Sequence, residues 1–286
     1  MCDEHNNQGL VQDPTVSRRA FGLMTVAATG VAGTAYAQSK VVEKDVEVKT
    51  ADGTADAALF YPEGRGTWPA VLIWTDILGL RPVFRDMGRR LAEQGYVVLV
   101  PNPFYRSKRA PVVEGPFDFG KAEDRNKVMA LRAAMTDAGV DNDAKAFVAF
   151  LDAQPQTNKA KKVGTQGYCM GGPLVFRTAA AVPDRVAAVG SFHGGDLVTK
   201  EASSPHLLVA KTKAAFICAV AQNDDKAQPE AKDVLKKTFA DTGHKATVEV
   251  YGANHGWCVK GGQTYNEAEA ERAWAALTAL YKATLA

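Results

Sequence analysis

A cysteine flanked by glycines stands out in this 286-residue sequence, where residues 167–172 read Gly-Tyr-Cys-Met-Gly-Gly. A predicted strand, 162–166, precedes these residues, and a predicted helix follows them from Pro173. The pattern glycine-x-nucleophile-x-glycine is typical of a sharp strand-to-helix turn that exposes one reactive side chain at the end of a sheet. A thiolate in that position attacks carbonyl carbon, so Cys169 is the candidate nucleophile. The alternative is a small buried cysteine that serves packing alone.

A nucleophilic thiol needs a base to take its proton, and the base needs an acid to orient it. Asp224 and Asp225 follow one predicted strand and His255 follows the next, which gives the chain order nucleophile, acid, histidine. We predict that His255 is the base and Asp224 the acid, with Asp225 as the alternative. His193 is a competing base, but it precedes the acid in the chain, so we expect it to line the substrate pocket instead.

Strands and helices that alternate along the chain must position these residues. The predicted strands are 70–74, 96–100, 162–166, 186–192, 214–219 and 247–251. The predicted helices are 83–94, 123–135, 143–153, one from about 173, 229–240, and one capped by Asn266. This alternation predicts an α/β fold, a mostly parallel sheet with helices on both faces, and the segments 41–48 and 57–61 predict an antiparallel hairpin at its edge. Ligands bind such sheets at the carboxyl ends of the strands.

A further strand end extends the pattern, because residues 74–80 read Trp-Thr-Asp-Ile-Leu-Gly-Leu. With the cysteine motif, the turn Asn-Asp-Asp at 223–225 and the turn Asn-His-Gly at 254–256, the chain from about Val46 to the last helix resembles the dienelactone hydrolase (carboxymethylenebutenolidase) family. The resemblance implies an α/β-hydrolase fold, a triad of Cys169, Asp224 and His255, and hydrolysis without a metal or organic cofactor.

The resemblance also implies an oxyanion hole and a group that activates the thiol. The backbone N–H groups of Met170 and Ile77 would stabilise the charge that develops on the attacked carbonyl oxygen. Asp76 stands where the family has a glutamate that helps to draw the proton from the thiol, and it is one methylene shorter.

Substrate contacts follow from the same resemblance. Arg106 matches the first of the arginines that hold the substrate carboxylate in the family, whereas Val259 stands where the second is expected, next to Lys260. We also expect His193 and Trp257 to contact the substrate.

The N-terminal residues predict an export signal. Residues 17–21, Ser-Arg-Arg-Ala-Phe, fit the twin-arginine motif, an apolar stretch at 23–35 follows, and Ala-Tyr-Ala at 35–37 fits a signal peptidase site. We therefore predict a signal peptide at 1–37 and one hydrolase domain at 38–286, exported by the twin-arginine translocase to the periplasm. The apolar stretch is too short for a stable membrane span, although an uncleaved anchor is the alternative.

Composition narrows the classes of function. A formal net charge of +2 gives no basic surface of the kind that binds nucleic acid. The three cysteines after the leader, Cys169, Cys218 and Cys258, have neither a disulfide framework nor the spacing of metal ligands. We expect hydrolysis of a small ester or lactone through a cysteinyl acyl-enzyme. The alternatives are a thioesterase or broad carboxylesterase, a small-molecule binding protein without turnover, and a redox-sensing thiol protein in which Cys258 would be the resolving cysteine.

Overall fold

The computed structural model describes residues 40–285, in which eight strands form a single sheet. The strands are β1 (Val41–Thr50), β2 (Gly53–Pro62), β3 (Ala70–Trp74), β4 (Val97–Pro101), β5 (Val163–Tyr168), β6 (Val186–Phe192), β7 (Ala215–Ala221) and β8 (Ala246–Tyr251). Their order across the sheet is β1-β2-β4-β3-β5-β6-β7-β8. The predicted signal peptide at 1–37 lies outside the described residues. Within 40–285, no helix has both the length and the apolar character that crossing a membrane requires.

The first two strands form the predicted hairpin at the edge of the sheet. β1 pairs antiparallel with β2, from Val41 opposite Pro62 to Thr50 opposite Gly53. β2 then pairs antiparallel with β4. From β4 onward the sheet is parallel, in the order β4, β3, β5, β6, β7 and β8. The prediction of a mostly parallel sheet with an antiparallel hairpin is therefore confirmed.

Eight helices connect or flank these strands in the described part of the chain. They are α1 (Pro82–Glu93), α2 (Ala122–Ala133), α3 (Asp137–Ala153), α4 (Gly171–Ala181), α5 (Pro205–Leu208), α6 (Gln222–Ala227), α7 (Ala231–Asp241) and α8 (Glu267–Thr284). α3, α4 and α7 bury apolar side chains in one core, whereas α1 and α8 bury theirs in a second core. Alternate residues of β3 divide between the two cores, since Leu72 belongs to the first and Ile73 to the second. The helices thus cover both faces, and the central strands are uniformly apolar because both of their faces are buried.

Two differences from the predicted elements lie close to the candidate site. α3 begins at Asp137 rather than at 143, because the Thr136 hydroxyl caps it by accepting a hydrogen bond from the Gly139 N–H at 3.1 Å. The acid segment after β7, predicted as a turn, is the short helix α6. The Asn266 cap of α8 is confirmed by its side-chain oxygen, which accepts from the Glu269 N–H at 3.1 Å.

Candidate active site

The carboxyl ends of four parallel strands carry the candidate residues. Asp76 and Ile77 follow β3, Cys169 follows β5, Asp224 lies in α6 directly after β7, and His255 lies in the loop after β8. Because parallel strands end at the same edge of a sheet, these loops converge there. The sheet order β3-β5-β6-β7-β8 places the cysteine loop between the loop of Ile77 and the loops of the acid and histidine.

The turn at Cys169 is strained and tightly packed. Cys169 has φ of 52°, in the left-handed region that costs a non-glycine residue energy. A side chain at position 167 would place its Cβ 2.1 Å from the Gly171 carbonyl oxygen, and one at position 171 would place its Cβ 2.6 Å from the Trp74 oxygen. The glycines of the motif are therefore required by close backbone approach. The turn presents the Cys169 thiol at the start of α4, whose first amides favour negative charge.

The candidate acid and base are in direct contact. The His255 Nδ1 lies 2.6 Å from the Asp224 Oδ2, which is hydrogen-bond distance. The histidine backbone is held as well, because its N–H donates to the Asn223 Oδ1 at 2.7 Å and its carbonyl accepts from the Thr264 hydroxyl at 2.7 Å. Asp225 instead binds the Lys232 ammonium at 2.7 Å. The short helix α6 thus directs the first carboxylate to the histidine and the second away from it.

The imidazole connects the carboxylate to the thiol. Burial on its own would lower the pKa of His255, but hydrogen bonds with Asp224 and with the Cys169 sulfur, and the negative charges of both partners, raise that pKa to about 10. The ring therefore favours its protonated form. The Asp224 carboxylate thus holds the His255 imidazole in the same cleft as the Cys169 sulfur, and an acid, an imidazole and a thiol brought together in this way can activate a nucleophile.

Two backbone amides lie in the same cleft as Cys169 and His255. The N–H groups of Ile77 and Met170 have no hydrogen-bond partner within residues 40–285, so both are free to donate. Ile77, Met170, Cys169 and His255 all line one cleft of about 330 Å³. A cleft of this volume suits a small ligand, and free amide donors beside a candidate nucleophile can stabilise an oxyanion.

Comparison with known families agrees with this geometry. The model of the dienelactone hydrolase family matches residues 55–285. The chain belongs to the dienelactone hydrolase family. Membership makes the protein a hydrolase that acts on ester bonds, as the resemblance in sequence predicted.

Individual relatives support the same assignment. A carboxymethylenebutenolidase homologue of Synechocystis sp. is 26% identical over 229 residues, which cover 78% of this chain and 89% of the relative. The carboxymethylenebutenolidase of Pseudomonas putida is 29% identical over 140 residues, which cover 49% of this chain and 57% of the relative. The solved structure of a dienelactone hydrolase homologue from Klebsiella pneumoniae matches with a TM-score of 0.74 at 19% identity, covering 85% of this chain and 99% of the other. This likeness confirms the α/β-hydrolase fold.

Asp76 has a different partner from the thiol predicted for it. Its two carboxylate oxygens accept from the Arg81 guanidinium at 2.6 and 2.7 Å, and Oδ1 also accepts from the Leu78 N–H at 2.9 Å. The side chain is one methylene shorter than the family's glutamate, and an arginine five residues later binds it at both oxygens. In this structure Asp76 therefore shapes the loop that carries the Ile77 amide, and the predicted contact with Cys169 is not formed.

Arg106 also lies outside the cleft, contrary to the prediction that it binds substrate. Its guanidinium donates to both oxygens of Asp143, at 2.7 and 2.9 Å, and to the Asp52 carboxylate at 2.6 Å. Asp143 is fully buried in α3 and needs a counter-charge, which Arg106 supplies. The arginine thus connects α3 to the turn of the β1–β2 hairpin rather than facing Cys169.

His193 and Trp257 lie behind His255 rather than in the cleft. Both side chains are fully buried. The His193 Nδ1 accepts from the Cys169 N–H at 3.1 Å, and its ring packs edge-on against His255 and Trp257, with centroids 5.0 and 4.9 Å away. Burial, and then the charge of His255, hold the pKa of His193 well below its usual value. His193 is therefore a neutral support for the other histidine, and neither it nor Trp257 lines the cleft.

The wall of the cleft includes residues that the sequence did not indicate. Met129 and Arg132 of α2, Arg177 of α4 and the loop 195–205 line it together with Cys169. The loop follows β6 and leads into the short helix α5, which has no strong sequence signal. Because α3 begins at Asp137, earlier than predicted, Asp137 and Val140 in its first turn also line the cleft.

Proposed function

We propose that this protein hydrolyses a small ester or lactone through a cysteinyl acyl-enzyme. The observation that carries the proposal is the Asp224–His255 hydrogen bond, which holds the imidazole in the cleft that Cys169, Ile77 and Met170 also line. A thiolate–imidazolium pair next to oxyanion donors is suited to acyl transfer.

The steps follow from this arrangement. The Cys169 thiolate forms a C–S bond with the carbonyl carbon, and the carbonyl electron pair moves to the oxygen, where the two amides donate to it. Collapse of the intermediate breaks the C–O ester bond, and the leaving oxygen takes the proton from the His255 imidazolium. Neutral His255 then removes a proton from water, whose oxygen attacks the thioester. Breaking of the C–S bond releases the acid and restores the thiolate.

Three alternatives to a narrow lactone hydrolase differ in the features that favour them. A thioesterase or broad carboxylesterase would use the same group of residues, and the absence of Arg106 from the cleft favours these over a strict dienelactone specificity. A binding protein without turnover has less support, since no member of the triad is replaced. A redox-sensing protein needs a second reactive thiol, but Cys258 is buried and burial raises its pKa.

Covalent trapping tests the proposal. The mature protein, 38–286, is incubated with a panel of slow aryl esters, lactones and thioesters, quenched in acid and digested for mass spectrometry. We expect one acyl group on the peptide that contains Cys169, and none in Cys169→Ala. Cys218→Ala is the matched control, because Cys218 is buried in β7 and burial raises its pKa to about 12. Full activity of Cys169→Ala would exclude the thiol mechanism.

Location in the cell forms a second part of the proposal. The twin-arginine motif at 17–21 and the small residues at 35–37 support export of the folded enzyme to the periplasm. The substrate would then be a molecule that reaches the periplasm.

A further inference from the structure

Two arginines line the cleft that contains Cys169, and one of them is already neutralised. Arg177 donates to both oxygens of Asp141 at 2.9 Å and lies 3.0 Å from an oxygen of Asp137. Two carboxylates thus compensate its charge, so Arg177 serves to fix α4 against α3 and has little capacity left for a ligand.

Arg132 is the other arginine, and it lacks such a partner. It is half-buried in the last turn of α2, and the only hydrogen bond of its guanidinium within residues 40–285 is a long one, 3.3 Å, from Nη1 to the Met135 carbonyl oxygen. No carboxylate within residues 40–285 forms an ion pair with it. A guanidinium has five donors in a planar fork, so most of its donors stay available on the side of the cleft.

The other charges around the cleft do not satisfy Arg132. Asp196 and Glu201 also line the cleft, but both are exposed, where water solvates and screens them. Leaving such carboxylates unpaired costs little, whereas a half-buried guanidinium gains from a fixed counter-charge. Arg106 cannot supply this role because Asp143 and Asp52 hold it outside the cleft.

We infer that Arg132 is a specificity-determining residue, which binds a carboxylate or similar planar anion on the substrate while Cys169 attacks the ester carbonyl. The inference rests on the proposed function. It assigns to α2 the anion recognition that Arg106 does not provide, and it restricts the preferred substrates to esters that carry a negative group within the length of the cleft.

Three matched esters test the inference: monophenyl adipate, which is anionic, phenyl 6-amino-6-oxohexanoate, its neutral amide isostere, and phenyl 5-(trimethylammonio)pentanoate, which is cationic. In Arg132→Gln we expect kcat/KM for the adipate ester to fall about tenfold to a hundredfold, as loss of a charge-assisted hydrogen bond predicts, mainly through KM. The value for the neutral ester should change little, and Arg132→Lys should recover part of the loss. Arg125→Gln is the control, since it removes the same charge from the same helix at a position that does not line the cleft.

The possible outcomes separate the inference from the function on which it rests. Equal losses on the anionic and neutral esters, or a preference for the cationic ester, would overturn the role of Arg132 while leaving ester hydrolysis intact. Hydrolysis of none of the three would count against the proposed function. Binding of adipate, measured by calorimetry on wild type and Arg132→Gln, then tests the anion site without turnover. Equal affinity in the two proteins would refute the inference.

Discussion

Asp224 and Asp225 are adjacent carboxylates with different partners, and this difference can be measured. Asp224→Asn presents an amide to the His255 Nδ1, which disfavours the correct tautomer and the imidazolium. We expect kcat to fall by roughly two to four orders of magnitude in a steady-state assay with an aryl ester. Asp225→Asn loses only the partly exposed bond from Lys232 and should keep most of its activity. A reversal of the two effects would assign the acid role to Asp225.

The same substitution has a consequence for stability that depends on pH. The pKa of His255 is raised from its usual 6.5 to about 10, so the stabilisation from its bonds to Asp224 and Cys169 is complete below about pH 6.5. It is lost as the pH rises through about 10, where the folded ring gives up its proton. Urea unfolding should therefore show wild type most stabilised over Asp224→Asn at about pH 6, with the difference shrinking as the pH rises toward 10. A difference that grows with pH would contradict the geometry.

Three of the predicted site residues have positions that the local chain sets. Cys169, Asp224 and His255 each follow a strand, so their convergence could be predicted from strand order. Asp76 and Arg106 could not be predicted in the same way, because their positions depend on competing partners. Arg81, five residues after Asp76 in the same loop, pairs with it. Asp143, which pairs with Arg106, lies in α3, whose start was predicted six residues too late.

Among the elements, α3 depends on Arg106 for its position against the hairpin. Arg106→Ala leaves the buried Asp143 carboxylate without a counter-charge, which costs about 3–5 kcal/mol of unfolding free energy for a buried pair. Arg109→Ala is the control on the same loop, since Arg109 is exposed and pairs only with exposed Glu47. Urea unfolding at neutral pH measures both.

Kinetics on the Arg106 variant separate this structural role from substrate binding. Because Arg106 does not line the cleft, any loss of activity should be equal for an anionic ester and its neutral isostere. A selective loss on the anionic ester would instead support the prediction that Arg106 contacts the substrate.

Most elements were predictable because each has a periodic pattern of its own. The buried strands and the apolar faces of α1 and α8 required no information from distant residues. The exceptions are short: α5 has four residues and α6 has six, too few for a periodic pattern. Both lie at the carboxyl edge of the sheet, where tertiary contacts rather than propensity decide the local conformation.

For the whole molecule, the proposed leader determines where the enzyme works. Replacing Arg18 and Arg19 together by lysine removes the paired arginines that the translocase recognises. We expect the precursor to accumulate in the cytoplasm, with activity lost from the periplasmic fraction and retained in the cytoplasmic one, as measured by fractionation and immunoblotting. Unchanged periplasmic yield would mean that the leader uses a different route.

The left-handed backbone at Cys169 bears on how this lineage can evolve. A non-glycine residue in that conformation costs roughly 1–2 kcal/mol relative to glycine, so the cysteine proposed as nucleophile lowers the stability of the protein. Mutation to glycine would relieve this cost and abolish the thiol in one step. Relatives that are no longer under selection for catalytic activity should therefore drift toward glycine or asparagine at position 169 while keeping the surrounding glycines. A cysteine retained at this position marks a lineage still under selection for catalysis.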